Sequence, residues 1–282
     1  MEQKTTNQQV QQAQQTQQST IPPAPFEKQP EFQFPTEEVT LPSKGILYPT
    51  GSPLKSGKVR MKYMTAKEED ILTNQNYIKS GTVIDKLLQS LIVDMVKIDD
   101  LLIGDKNALL VAARILGYGS EYEFRYTNPE SGEEEDVSVD LTEAEDKYFD
   151  EALLSEGTNE FEFELPTSKA LLTFKLLTTA DDKKIDSELK GLKKINKNAS
   201  PELTTRLKHM ILSVNGNREV KFVRNFIDNQ FLARDSRAFR EYIAKVMPDI
   251  DLTFDIHFDD GAIAENVTIP IGVQFFWPDA SI

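Results

Sequence analysis

Catalysis needs side chains that can move a proton, attack an electrophile or hold a metal, and this chain has few at useful spacing. Its 282 residues include no Cys and only two His, His209 and His257. That excludes disulfides, thiolate nucleophiles and thiolate zinc sites, and leaves no His-rich metal centre. Acids stand side by side at Glu68-Glu69-Asp70 and at Asp259-Asp260. Paired carboxylates can do acid–base work, but neighbours on a strand face opposite ways and acids in turns are ordinarily solvated. Neither a Gly-x-Ser-x-Gly elbow nor a His-Glu-x-x-His pair occurs in the sequence. GSPLKSGKV has the composition of a phosphate-binding loop, but five residues separate Gly51 from Gly57, and Val59 stands where a hydroxyl is needed. It reads as a turn between extended arms. The residues point to a non-enzyme with no cofactor and no bound metal.

Composition narrows the class further. At 39% hydrophobic and 28% charged residues, the chain can build a core as one large domain or two small ones. No apolar run approaches the ~18 residues of a membrane span, and the polar N-terminus lacks a secretion-signal core, so no membrane partner is expected. The net charge of −14 is uneven, because Glu121 to Glu164 holds 17 acids against two basic residues. That balance opposes nucleic-acid binding. The acidic stretch is either a solvated face or a surface that meets a basic partner. A lysine cluster (Lys183, Lys184, Lys190, Lys193, Lys194 and Lys197) lacks the interleaved aromatics of a single-strand binder.

The elements that would position these groups follow from periodicity. Residues 1–30, with nine Gln among the first eighteen, are expected to be a disordered tail. From 31 to 64 the prolines and glycines predict an extended arm. Helices are expected over 65–117. One carries the stripe Val83, Leu87, Leu88, Leu91, Ile92, Met95 and Val96, and the next is capped by Asp105. Alternating arms then predict three hairpins: Tyr122 to Leu141, Phe161 to Leu176, and Phe254 to Ile271. The first and third share a Gly-bearing turn, Gly132 or Gly261, consistent with either a duplication or a generic pattern. Helices return over 179–247. One starts at Ser200-Pro201 and presents Leu203, Leu207, Met210, Ile211 and Val214; the last is capped by Asp235 and is expected to bury Phe239, Tyr242, Ile243 and Val246 on the closing hairpin. The fold class is α+β, helical segments with antiparallel hairpins, divided at 31–178 and 179–282.

Seven strings in order resemble the T4 baseplate protein family of contractile-tailed bacteriophages, linked to assembly of the central hub. They are LPSKGILY (Leu41 to Tyr48), MTAKEEDIL (Met64 to Leu72), LLIGDKNALL (Leu101 to Leu110), RILGYGSEY (Arg114 to Tyr122), ILSVNG (Ile211 to Gly216), ARDSRAFREY (Ala233 to Tyr242) and FFWP (Phe275 to Pro278). Related phage proteins look like zinc ribbons at their hairpins. Here the two tips carry Thr127, Asn128, Pro129 and Ser131, and His257, Asp259 and Asp260, so the resemblance implies a degenerate, metal-free ribbon.

The resemblance implies a tail baseplate hub assembly or structural protein acting through protein–protein contacts. Its partners would be other tail or hub proteins, in the host cytoplasm during assembly and then in the virion baseplate. Homo-oligomerisation stays open. The alternatives are an assembly chaperone absent from the virion and an enzyme using carboxylates. The candidate partner-binding residues are Leu41, Pro42 and Tyr48 of the extended arm, and Phe275, Phe276 and Trp277 at the C-terminal end.

Overall fold

The computed structural model describes residues 35–195 and 201–276, all within one compact unit, Phe34–Ile282. The disordered tail expected over 1–30, Ser200 as a cap, and Trp277 lie outside the described residues. Among those residues the chain forms eight α-helices and four small antiparallel sheets, an α+β fold. A single hydrophobic cluster takes in side chains from Leu41 to Phe276 and so draws on both sides of the expected boundary at 178/179.

The first hairpin, β1 (Thr36–Thr40) against β2 (Lys58–Lys62), closes over a long folded arm rather than a tight turn. Gly45 and Gly57 stand back to back in the arm at φ 75° and 70°. A Cβ on Gly45 would fall 2.5 Å from Lys55 O, and one on Gly57 would fall 2.6 Å from Lys44 O, so both positions require glycine.

Four helices follow: α1 (Ala66–Leu72), α2 (Gln75–Ser80), α3 (Val83–Leu91) and α4 (Ile103–Tyr118). The apolar stripe expected to run on through Val96 stops at Leu91. Ile92 pairs with Met61 and Val93 N–H bonds Arg60 O, so the chain leaves the helix to lie beside β2. Asp94 fixes the exit by accepting from Arg60 N at 2.7 Å and from its guanidinium at 2.7 and 2.9 Å. Met95 is consequently 90% exposed. At the start of α4, a Cβ on Gly104 would collide with Pro248 O at 2.0 Å; only glycine lets the C-terminal segment cross there.

All three expected hairpins form: β3 (Glu121–Thr127) with β4 (Glu134–Asp140), β5 (Phe161–Glu164) with β6 (Leu171–Phe174), and, after a helical segment, the closing pair near the C-terminus. That helical segment opens with α5 (Thr179–Ile195) and α6 (Glu202–Met210). Ile211 and Val214, expected on the face of α6, belong instead to β7 (Ile211–Val214), which pairs with β6. Two β-branched residues favour the strand, and Ser213 Oγ–H bonds Thr173 Oγ1 across it at 2.8 Å. Next come α7 (Val220–Asn229), α8 (Ala233–Val246), and the closing hairpin of β8 (Thr253–His257) with β9 (Ile263–Thr268).

The aromatic contacts of α8 go to the middle sheet, not to the closing hairpin. Phe239, at 0% exposure, lies 4.9 Å from Phe174 edge-on and 5.9 Å from Phe163, while Tyr242 stacks on Phe163 at 4.6 Å. Phe239→Ala should therefore cost about 3–5 kcal/mol, read by urea unfolding of the full chain. A loss below about 1 kcal/mol would contradict this packing.

Candidate interaction site

Four carboxylates in the first turns of helices are buried, and each is satisfied by another segment or side chain. Helix N-termini favour negative charge there. On α1, Glu68 accepts from Lys62 Nζ at 2.8 Å, Ser90 Oγ at 2.6 Å and Thr65 N at 3.0 Å. Burial works to raise its pKa, but these bonds win and bring it down to about 2. On α5, Asp181 holds Lys175 Nζ at 2.6 Å and Thr178 N at 3.2 Å.

The other two correct the capping expectation. Helix α8 begins at Ala233, so Asp235 lies inside its first turn, where it accepts from Thr167 N at 2.7 Å and Ser168 N at 3.0 Å. It thereby fixes the turn between β5 and β6. Helix α4 begins at Ile103, so Asp105 is also inside rather than at the cap. Asp105 accepts from Ser43 N (2.9 Å), Ser43 Oγ (2.7 Å) and Tyr48 OH (2.6 Å); Tyr48 OH in turn accepts from Leu102 N at 2.9 Å. Burial pushes the Asp105 carboxyl above the usual range, against the bonds that favour its charge. Burial and the nearby carboxylate likewise raise the Tyr48 phenol.

This anchor seats the candidate arm. Leu41, Pro42 and Tyr48 are buried within the chain, and the arm's outward residues include Lys44, Pro49, Thr50 and Gly51. Part of the acidic stretch holds the arm from its other side. Glu151 pairs with Lys44 at 2.6 Å, Glu156 with Lys55 at 3.0 Å, and Gly157 N–H bonds Ile46 O at 2.8 Å. At the C-terminal end, Phe275 and Phe276 are buried too, Phe275 lying 5.2 Å from Tyr122. The structure therefore brings these five candidates into the core in two separate places.

The neighbouring acids of the two runs, Glu68 to Asp70 and Asp259 to Asp260, do not converge. Glu69 and Asp70 are exposed while Glu68 points inward. Asp260 accepts from Ala262 N at 2.9 Å and from Asn128 Nδ2 at 3.0 Å, and Asp259 is exposed. His257 is on the outer face of β8, whereas His209 on α6 meets Glu188 at 3.0 Å. Arg224 grips the same Glu188 with two bonds of 2.9 Å and, with help from His209, lowers its pKa to about 2. GSPLKSGKV is a turn: Ser52 caps a short 3-10 helix and the chain then enters β2, not the helix a phosphate loop requires.

The tips of the first and last of the three expected hairpins meet. Asn128, fully buried, accepts from Glu130 N and Ser131 N and donates to Glu135 Oε1 at 2.8 Å and to Asp260 Oδ2. An amide joins the tips where a zinc ribbon would place thiolates. No group of three or more His, Asp or Glu able to hold a metal occurs among the described residues. No helix among them is long and apolar enough to cross a membrane. The outward positions of β3 and β4 are Glu121, Glu123, Arg125 and Thr127 opposite Asp140, Ser138, Asp136 and Glu134, an entirely polar and mostly acidic face.

Among the described residues, buried carboxylates act as internal fasteners and small hairpins are tied to short helices. The comparison with protein families gives the particular lineage. The family described as T4 bacteriophage base plate protein matches residues 36–277, from the first residue of β1 past the end of the described residues, and the chain belongs to that family. No curated protein and no solved structure matches it. Membership supports a structural or assembly role in the phage baseplate, with other tail or baseplate proteins as partners.

Two titrations test the fasteners. Glu68 has a folded pKa below its ordinary 4.5, so its contribution is present above that value and is lost as pH falls towards about 2. Glu68→Gln should lower stability at neutral pH and flatten the acid side of the stability curve; an unchanged acid slope would refute the assignment. For Asp105 the sign is opposite. Its raised pKa favours the fold at low pH, and this advantage is lost as pH rises through the folded value. Asp105→Asn keeps one acceptor oxygen in place of two, so the donors from Ser43 and Tyr48 can no longer all be met, at about 1–3 kcal/mol. The gap from wild type should narrow as pH rises above the ordinary carboxylate range in urea unfolding, and a widening gap would overturn it.

Proposed function

We propose that this chain works at the baseplate hub, joining or preparing hub components through protein–protein contacts and without chemistry of its own. The observation that carries the reading is the family match, which includes every described element from β1 to β9. The use of the acids supports it. Glu68, Asp105, Asp181 and Asp235 are each committed to bonds within the chain, so the buried carboxylates act as fasteners. The arm at Leu41, Pro42 and Tyr48 and the aromatics Phe275 and Phe276 then serve contacts indirectly, by fixing the shape that a partner meets. Assembly in the host cytoplasm and residence in the virion baseplate belong to the same proposal.

Cross-linking mass spectrometry of infected-cell lysate and of purified particles tests it. The expected result is cross-links to central hub proteins. Cross-links confined to head or outer baseplate proteins would overturn the hub assignment. Recovery of the chain from purified particles would mark a resident component, and recovery from lysate alone would mark a chaperone that leaves.

A further inference from the structure

On a chain of net charge −14, one face departs from the prevailing sign. It is built by α3, α5, residues 95–97 and the 3-10 turn Ile98–Asp100. Two clefts of about 620 and 390 Å³ share Val96, Lys97 and Asp99 as a common wall. Lys184 borders the larger cleft, and Lys86 and Lys183 border the smaller. Lys190 Nζ lies beside Gly81, 3.6 Å from where a Cβ would stand, next to Thr82 of the smaller cleft.

Most acids of this face are already matched. Asp85 takes Lys106 and Lys183, each at 2.7 Å, and Asp99 takes Lys183. Asp181 is held by Lys175 at 2.6 Å, with Lys184 at 3.9 Å. Lys86 bonds only the neutral Gln89 amide, and Lys97 and Lys190 have no ion pair among the described residues. Against these surplus ammonium groups stand Asp100 on the rim and Asp186 farther along α5. The centre of the face is apolar: the exposed Met95, with Val96, Pro49 and Pro53, lines the larger cleft. Methionine there is flexible enough to fit several apolar shapes.

We infer that this face docks an acidic segment of a partner protein, seating an apolar side chain beside Met95 and its flanking carboxylates on Lys86, Lys97 and Lys190. The inference rests on the assembly reading and adds the partner's chemistry. Charge complementarity selects the acidic segment. Among the described residues the only aromatic in either cleft wall is Tyr48, buried and tied to Asp105, so these walls give a nucleic-acid base no platform on which to stack. A second copy of this chain would present the outer face of β3 and β4, which has no apolar residue to place on Met95.

The test uses the full chain and a fluorescein-labelled peptide of about ten residues, two Leu flanked by Glu and Asp, followed by anisotropy at about 50 and about 300 mM salt. Wild type should bind, more weakly at the higher salt. The triple variant Lys86→Glu, Lys97→Glu and Lys190→Glu should weaken binding at least about tenfold, and Met95→Ala several-fold. Lys245→Glu, at an exposed position of α8, should change nothing. Thermal melts of all three variants should match wild type, because none of these side chains holds an ion pair within the described residues. Absence of binding at low salt, or equal binding by the triple variant, overturns the inference. Tighter binding of a labelled oligothymidylate overturns it in favour of nucleic acid, and a salt-sensitive dimer abolished by the triple variant overturns it in favour of a second copy. Each of these failures leaves the hub proposal intact, because cross-linking tests that separately.

Discussion

The described fold depends on buried carboxylates placed in the first turn of a helix. A carboxylate taken out of water costs several kcal/mol unless its oxygens find donors. In the first helical turn half of that problem is solved by the local dipole. The other half is solved by a segment from elsewhere, and that requirement turns each helix start into a docking point. Asp105 draws in Ser43 and Tyr48; Asp235 draws in the turn at Thr167 and Ser168. Removing one partner leaves a charge without its donors, so these bonds specify which segments meet more than they add to net stability.

The same arrangement explains why short, irregular pieces can hold one shape. None of the four sheets has more than three strands, and a two-stranded hairpin is marginal by itself. Here each is fastened to another element: β1 and β2 through the arm on Asp105, β5 and β6 through Asp235, and the outer two hairpins through Asn128 and Asp260. The acidic stretch contributes through Glu151 and Glu156, which grip the arm's lysines, while the outer face of β3 and β4 stays in solvent.

Much of this was legible in the sequence, and the limits have physical causes. The three hairpins were readable because alternation survives in Tyr122, Phe124 and Tyr126 or in Phe254 and Ile256, where one face is buried and the other wet. The end of α3 was not, because Ile92 to Val96 continues the apolar spacing and only Arg60, reached through Asp94, pulls it out of the helix. Strand β7 was hidden in the same way by the apolar residues that α6 shares with it. Asp105 and Asp235 were recognisable as acids at helix starts, yet an acid that caps its own helix and one that binds a distant loop look alike locally. Their partners lie 62 and 68 residues away. The burial of Leu41, Pro42 and Tyr48 follows from that distant anchor, so the arm read as exposed.

The crossing at Gly104 carries a consequence for the order in which the molecule can be made. The start of α4 lies directly on Pro248, the segment after Glu145 runs beside Asp249 and Asp251, and Tyr122 packs on Phe275. Elements translated early thus complete their surroundings only with residues 248 to 275, translated much later. A ribosome adding about 5–20 residues per second leaves the first helices waiting for roughly ten to forty seconds with apolar faces uncovered. A chain stopped short of Phe275 would lack the last pieces of its own core. The surroundings of α4 and β3 are therefore finished only once residues 248 to 275 have been added, and copies ended before them would lack that part of the core.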